Sequence, residues 1–230
     1  MERAKILGFG VDKYSFKEAV NFADHGQVVT INPEMIDYAL KNKDFANIID
    51  EAELVIPDGI GVQIGLKILG YNIRRIAGIE FARRMLEKFA GEPVALVGAK
   101  PHVIEKTVQN LKSENEKFNF VYVQDGYFKD EQRVLDDVVN SNPKLLLVAL
   151  GSPKQEEFIY KLKSKLPNTL MIGVGGSFDV WSGEVERAPE IYQKLGLEWL
   201  YRTVKEPKRF KRIFPTLPLF VLKVIRSKFC

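Results

Sequence analysis

The stretch Lys144-Leu-Leu-Leu-Val-Ala-Leu-Gly-Ser-Pro-Lys-Gln-Glu156 decides the fold of this 230-residue chain. Residues 144–150 form an almost continuous apolar run, which is typical of a strand covered on both faces in a parallel sheet. The run ends at Gly151, and a helical pattern follows over residues 153–165. A buried strand that leads directly into a helix predicts a sheet with helices packed on both of its faces.

The same alternation of strand and helix runs through most of the chain. Ser15 and Glu18 have the spacing of a capping box, and Asn32-Pro33 places a capping residue before a proline at a helix start. These patterns predict an α/β fold, a Rossmann-like sandwich with a mostly parallel sheet plus a small, helical, basic C-terminal appendage. Further strands are predicted over residues 5–9, 27–31, 54–56, 94–97, 119–123 and 169–174, and further helices over residues 16–24, 33–43, 59–69, 80–90, 101–113 and 130–140.

The composition is ordinary for a soluble globular domain, with 46% apolar and 28% charged residues. The single cysteine, Cys230, excludes an internal disulfide, and with two histidines a zinc site of the usual ligands is not expected. The N-terminus lacks a signal-peptide pattern, and no apolar window approaches the ~18 residues of a membrane span. We therefore expect a cytoplasmic protein.

The C-terminal residues differ sharply from the rest of the chain. Residues 201–230 carry nine Lys/Arg and one acid, a local charge of +8, whereas the whole chain is +4 and residues 1–200 sum to −4. After residue 176 the pattern changes to short helical segments broken by prolines at positions 189, 207, 215 and 218. This change predicts an α/β catalytic body over residues 1–195 and a basic appendage over residues 196–230. Cations beside the apolar run 217–222 suit an anionic lipid surface, although a solvated helix with snorkelling side chains has the same composition.

Ligands of open α/β sheets gather beyond the carboxyl ends of the strands, and several strands here end in small or polar residues. Gly173-Val-Gly-Gly176 lets backbone amides approach an anion, but glycines there also suit a tight turn. The chain has no Walker A loop and no Gly-x-Gly-x-x-Gly after its first strand, which argues against a nucleotide hydrolase or a dehydrogenase. Asp58 follows a strand and precedes Gly59, so it is either a general base that points into the cleft or a helix N-cap.

Binding of a nucleotide diphosphate requires positive charge to neutralise its phosphates, and arginines of this sequence are candidates for that role. There is no Asp-x-Asp, the carboxylate pair that usually holds a divalent ion on a nucleotide sugar. Arg202, Arg209 and Arg212 recur at helical spacing and either neutralise a diphosphate or form a basic solvated face. Asp179 follows the last strand and either accepts hydrogen bonds from a ribose or caps a turn.

Ten short blocks, spread over almost the whole chain, carry a family resemblance. They are Thr30-Ile-Asn-Pro-Glu34, Pro57-Asp-Gly-Ile-Gly61, Ala77-Gly78, Leu96-Val-Gly98, Gly126-Tyr-Phe128, Ala149-Leu-Gly-Ser-Pro-Lys-Gln-Glu156, Gly173-Val-Gly-Gly-Ser-Phe-Asp179, Arg187-Ala-Pro189, Gly196-Leu-Glu-Trp-Leu-Tyr-Arg202 and Glu206-Pro-x-Arg209-x-x-Arg212. In this order and spacing they resemble the bacterial WecG/TagA/CpsF glycosyltransferases. The likeness is greatest to the TagA branch, whose members act in wall teichoic acid synthesis and also end in a stretch like residues 217–225.

The resemblance implies an inverting, metal-independent transfer of N-acetylmannosamine from UDP-N-acetylmannosamine to the 4-hydroxyl of GlcNAc-diphospho-undecaprenol. By position, Asp58 would be the general base with Thr30 beside it, and the three tail arginines would stabilise the departing UDP. Gln155 would face the sugar, and Asp179 with the glycine strand ends would hold the uridine. The substrate-binding set implied in this way is Asn32, Gly59, Gly78, Gly98, Gly126, Tyr127, Gly151, Gln155, Gly175, Gly176 and Asp179.

The partners implied are a UDP-sugar, a polyprenyl-diphosphate-linked GlcNAc acceptor, and the cytoplasmic face of the membrane, where the appendage would complete the active site as a peripheral anchor. No cofactor, metal or nucleic acid is expected, and a homo-oligomer is plausible off the membrane.

Three alternatives stay open. The same fold and acceptor class would suit another donor, UDP-N-acetylmannosaminuronic acid or UDP-glucose, in exopolysaccharide or antigen synthesis. A nucleotide- or nucleic-acid-binding module would use the basic tail electrostatically and leave Asp58 without a role. A membrane-associated scaffold would bind lipid without donor-dependent chemistry.

Overall fold

The computed structural model describes residues 3–194, 197–205 and 210–229, and it has the predicted α/β architecture. A six-stranded sheet has the order β4-β3-β8-β7-β5-β6, and every neighbouring pair is parallel. Its strands are β3 (Gly26–Ile31), β4 (Leu54–Pro57), β5 (Pro93–Gly98), β6 (Asn119–Gln124), β7 (Leu145–Ala149) and β8 (Leu170–Gly173). All five residues of β7 are buried, as the apolar run of residues 144–150 predicts.

The strand order creates a switch point in the middle of the sheet. The chain adds β4 outside β3, then crosses to build β5 and β6 on the other side, and fills the gap with β7 and β8. In open parallel sheets, the crevice at such a point is where ligands bind. The chain leaves β7 toward β8 and leaves β5 toward β6, in opposite directions, so the switch point lies between β7 and β5.

The single strand predicted over residues 5–9 is wrong. The structure has an antiparallel hairpin of β1 (Ala4–Ile6) and β2 (Phe9–Val11), which is separate from the main sheet. Leu7 and Gly8 form the turn with φ of 50° and 95°, in the left-handed region that a continuous strand does not visit. The first and last side chains of each hairpin strand are buried in one core cluster of the body; they are Ala4, Ile6, Phe9 and Val11.

Helices cover both faces of the sheet. The predicted caps are confirmed: Ser15 and Glu18 exchange both capping-box hydrogen bonds, and the Asn32 Oδ1 accepts a bond from the Met35 N–H at 3.0 Å. The helices are α1 (Phe16–Phe22), α2 (Pro33–Ala39), α3 (Lys43–Asp50), α4 (Ile60–Ile68), α5 (Gly78–Lys88), α6 (Pro101–Glu114), α7 (Glu131–Ser141), α8 (Lys154–Lys163), α9 (Ser177–Trp181), α10 (Glu190–Lys194), α11 (Glu198–Lys205) and α12 (Phe210–Phe229).

Helix α3 was not predicted, because residues 33–43 read as one helix. The structure ends α2 at Ala39 and starts α3 at Lys43, with the Asn42 Oδ1 accepting a hydrogen bond from the Phe45 N–H at 3.0 Å. An asparagine that caps a new helix also interrupts the preceding one, since its side chain competes for backbone donors.

The prediction that prolines break the C-terminal segment at positions 215 and 218 is wrong, since α12 continues through both of them. An interior proline costs a helix about 3 kcal/mol. Packing offsets that cost: Phe220 and Val224 are 2% and 0% exposed and join the core cluster beneath α4 and the hairpin. A side chain at Gly65 of α4 would place its Cβ 3.3 Å from Phe220, so this glycine permits the close approach of α12.

Within the described ranges, no helix combines the length and the apolar character that crossing a bilayer requires.

Candidate active site

A cavity of about 480 Å³ opens at the carboxyl ends of β3, β4, β7 and β8. The starts of α4 and α5 and the turn before α8 form its walls, and Thr216 and Leu217 of α12 reach its rim. Its lining contains nine of the predicted site residues, which are Thr30, Asn32, Asp58, Gly59, Gly78, Gly151, Gln155, Gly175 and Gly176.

Asp58 lies immediately after β4, and the register of the sheet places it beside β3. Ile31 pairs with Pro57, and the Asp58 N–H donates to the Ile31 carbonyl at 2.8 Å. The Asp58 Oδ1 accepts a hydrogen bond from the Gly59 N–H at 2.8 Å. Gly59 itself occupies the N-cap position of α4 and has no side-chain cap, so Asp58 is not the N-cap residue of this helix.

Burial raises the pKa of Asp58 from its ordinary 3.8 to about 6. The hydrogen bond from Gly59, the positive charge of Arg75 and the Gly78 N–H act in the opposite direction, and the charge of Glu198 adds a smaller upward effect. A carboxyl group with this pKa is ionised at neutral pH yet is basic enough to take a proton from a hydroxyl in a transition state.

Thr30 and Gly78 surround the Asp58 carboxyl group. Thr30 is the second-to-last residue of β3, and a side chain at Gly78 would place its Cβ 3.2 Å from the Thr30 Cγ2 and 3.4 Å from the Asp58 Oδ2. The absence of a side chain at Gly78 therefore lets the start of α5 approach the carboxyl group closely. Asn32 also lines the cavity, but its Oδ1 is engaged in capping α2.

Gln155 forms part of the wall and holds the loop after β8. Its Oε1 accepts a hydrogen bond from the Gly175 N–H at 3.0 Å, and its Nε2 donates to the Glu156 Oε1 at 2.8 Å. A side chain at Gly173 would place its Cβ 2.5 Å from the Gln155 Nε2, so this position requires glycine. Gln155 thus fixes the backbone of Gly175 and Gly176, which line the cavity.

Four predicted residues lie outside the cavity. Gly98, Gly126 and Tyr127 follow β5 and β6 on the same edge of the sheet, where the Gly126 N–H donates to the Ala99 carbonyl at 2.8 Å. Tyr127 is 68% exposed. The fourth, Asp179, is on α9, and a Cβ at Gly176 would lie 3.5 Å from its Oδ2. Gly98, Gly126 and Tyr127 therefore share the sheet edge with the cavity but do not line it.

Arg75 is a cavity residue that the sequence reasoning missed. It lies in the loop between α4 and α5, its backbone N–H donates to the Gln63 Oε1 at 2.8 Å, and its guanidinium group donates to the Gln193 carbonyl. Glu198 of α11 also lines the cavity, and its carboxylate lies 3.6 Å from Arg75 and 3.5 Å from Arg187. The adjacent Arg74-Arg75 pair shortly before Ala77-Gly78 was the signal available in the sequence.

The three arginines predicted to hold the departing nucleotide fall outside the description. Arg209 lies outside the described residues, and so do the side chains of Arg202 on α11 and Arg212 on α12. Their roles stay predictions. Within the part of the chain that is described, no group of three or more His, Cys, Asp or Glu residues is placed to hold a metal ion.

The chain is similar in sequence to known glycosyl transferases. The family model described as "Glycosyl transferase WecG/TagA/CpsF family" matches residues 4–230. A protein of Bacillus spizizenii named N-acetylglucosaminyldiphosphoundecaprenol N-acetyl-beta-D-mannosaminyltransferase is 37% identical over 204 residues, which cover 87% of this chain and 79% of the relative. A protein of Bacillus subtilis with the same name is 35% identical over the same coverage. This chain therefore belongs to the WecG/TagA/CpsF family of glycosyl transferases.

Proposed function

We propose that the protein transfers N-acetylmannosamine from UDP-N-acetylmannosamine to the 4-hydroxyl of GlcNAc-diphospho-undecaprenol, with inversion at the anomeric carbon. The observation that carries the proposal is the half-buried carboxyl group of Asp58, whose pKa is raised to about 6 and which lines the cavity of about 480 Å³ at the carboxyl ends of the strands. The names of two relatives, 37% and 35% identical over 204 aligned residues, supply the sugar and the acceptor. These reactions belong to the synthesis of the wall teichoic acid linkage unit.

The transfer is a single displacement. The acceptor hydroxyl oxygen attacks C1 of the donor sugar while the bond from C1 to the diphosphate oxygen breaks. The hydroxyl proton passes to the Asp58 carboxylate, and UDP departs with the bonding electron pair. Attack from the face opposite the departing group converts an α-linked donor into the β-linked product that the relatives' name specifies. A positioned base contributes about 10²–10⁴-fold to such a reaction.

The cavity is suited to an anionic donor. The N-terminal residues of α4 and α5 line it, at Ile60 and Gly78, and helix N-termini present free N–H groups and the positive end of the helix dipole. Arg75 adds a guanidinium group to the same wall. In this proposal four guanidinium groups stabilise the negative charge that develops on the departing UDP, those of Arg75, Arg202, Arg209 and Arg212. The transfer therefore needs no metal ion.

The C-terminal segment has two roles in this proposal. Thr216 and Leu217 of α12 line part of the cavity, so the position of this helix affects whether the cavity wall is complete. Farther along, α12 exposes Leu222 and Phe229 next to the cationic Arg226, which suits an anionic membrane surface. The enzyme would thus act as a peripheral protein on the cytoplasmic face of the membrane, where its lipid-linked acceptor resides.

The proposal is tested with purified protein, a short-chain GlcNAc-diphospho-lipid and a panel of UDP-sugars, including UDP-N-acetylmannosamine, UDP-N-acetylmannosaminuronic acid and UDP-glucose. Mass spectrometry should show addition of one N-acetylhexosamine, at the same rate with a chelator as without it. If a product forms from another donor instead, the sugar of that donor takes the place of N-acetylmannosamine in the proposed reaction. A strict requirement for magnesium, together with indifference to loss of the tail arginines, would refute the metal-independent mechanism.

A further inference from the structure

Glu156 is a buried carboxylic acid next to the proposed donor site, and the transfer mechanism does not use it. It follows Gln155 on α8 and is 2% exposed. Its Oε1 accepts the hydrogen bond from the Gln155 Nε2, whereas its Oε2 is buried without a hydrogen-bond partner among the described residues. A buried carboxylate with one free oxygen is costly, because an ionised group needs several hydrogen bonds or a cation to replace water.

The surroundings of Glu156 favour its neutral form. On β3, Gln27 is neutral, and its Nε2 donates to the Glu156 backbone carbonyl at 3.1 Å. The neighbouring Glu157 on α8 is negative, and Glu53 is already paired with Lys163 at 2.8 Å. In the described part of the chain, no cation forms an ion pair with Glu156.

The titration of the group agrees with this environment. Burial raises the pKa of Glu156 to about 7, although the hydrogen bond from Gln155 and the nearby Ser152 side chain lower it, and the charge of Glu157 raises it slightly. Glu156 therefore changes its charge within the range in which a cytoplasmic enzyme works.

Two consecutive hydrogen bonds connect Glu156 to the cavity. The acid oxygen of Glu156 accepts from the Gln155 amide nitrogen, which fixes the amide oxygen of Gln155 toward the Gly175 N–H. Without the acceptor at Glu156 the Gln155 amide is free to turn over, and its NH₂ group would then face a backbone donor. The backbone at Gly175 and Gly176 would lose the bond that sets its position in the cavity wall.

We propose that Glu156 is a positioning residue for the nucleotide donor: its Oε1 orients the Gln155 amide and thereby holds the Gly175–Gly176 backbone in the donor-binding conformation. Ionisation keeps the bond from Gln155 but places a buried negative charge two hydrogen bonds from that backbone, so the anionic donor binds more weakly at alkaline pH. This inference rests on the proposed function for the identity of the donor, but its structural part does not.

The structural part is tested by NMR without any ligand. In the unmodified protein, the amide resonance of Gly175 should shift with pH, with a midpoint at about pH 7. The shift should disappear in Glu156→Gln, which keeps an acceptor oxygen for Gln155 and cannot ionise. It should persist in Glu157→Gln, the matched control that removes a neighbouring charge on the same helix. A Gly175 resonance that does not titrate in the unmodified protein would overturn the proposal, whether or not the variants fold.

The functional part is tested by calorimetric titration with UDP. Above about pH 7 the affinity of the unmodified protein and of Glu157→Gln should fall by up to about tenfold for each pH unit, whereas that of Glu156→Gln should stay nearly constant. Equal pH dependence in all three proteins would refute the role of Glu156. If the Gly175 resonance titrates as expected but UDP binds to none of the proteins, the proposed donor is wrong and the positioning of the loop by Glu156 stands.

Discussion

Replacement of Asp58 by asparagine should severely slow transfer and at the same time stabilise the fold. Burial raises the pKa of this carboxyl group from 3.8 to about 6, so the folded state holds its charged form at a cost of about 3 kcal/mol above pH 6. Asparagine removes the charge and keeps an oxygen that accepts the hydrogen bond from the Gly59 N–H. The turnover number should fall by about 10²–10⁴-fold, because the base is lost, while UDP binding persists.

The size of the stability change depends on pH. Between pH 3.8 and about 6 the unfolded protein loses the Asp58 proton before the folded protein does, so the wild-type free energy of unfolding declines across this window. The variant lacks this decline. Its advantage should therefore be absent below about pH 4 and reach its full value, at most about 3 kcal/mol, above about pH 6.

Urea denaturation at several pH values and a transfer assay with labelled donor measure the two effects. Asp130→Asn is the matched control, since it makes the same substitution at the N-cap of α7, where the side chain accepts from the Arg133 N–H, and asparagine caps as well as aspartate. This control should change neither quantity by more than about 0.5 kcal/mol. An Asp58→Asn enzyme with undiminished turnover would contradict the assignment of the general base.

Three further predictions address the donor charge, the C-terminal helix and the buried acid. Arg75→Ala should lower kcat/KM for transfer by about 10²-fold or more. Arg75→Lys should restore only part of this loss, because a lysine supplies the charge without the planar pair of donors. Steady-state kinetics at saturating acceptor measure both effects. Gly65→Leu should destabilise the fold by about 1–3 kcal/mol and expose α12 to limited proteolysis. The reason is that a Cβ at this position would lie 2.7 Å from the Ile6 Cδ1 and 3.3 Å from Phe220. A variant as resistant to protease as the unmodified protein would contradict this packing. Glu156→Gln should raise the free energy of unfolding at pH 8 but not at pH 4, because the wild-type folded state loses stability as pH rises from 4.5 to about 7; urea titrations at the two pH values decide this.

The secondary structure of the body was predictable because its signals are local. Residues 144–150 form the buried strand β7, and Ser15 and Asn32 cap the helices that their spacing predicts. The errors arose where a local signal was ambiguous. Residues 5–9 are apolar enough for one strand, but the turn at Leu7 and Gly8 divides them into a hairpin.

The sequence by itself determined the six strands of the main sheet and most of the helices between them, the edge of the sheet that carries the site, and the position of Asp58, because hydrophobic periodicity and turn residues act over a few neighbouring positions. Only the tertiary structure decided that Arg75 and Glu198 join the cavity and that α12 continues through two prolines. It also decided that the carboxyl groups of Asp58 and Glu156 are withdrawn from water far enough to raise their pKa values. Distances between residues remote in sequence, and access to solvent, arise from the packing of whole elements, so no short stretch of the chain encodes them.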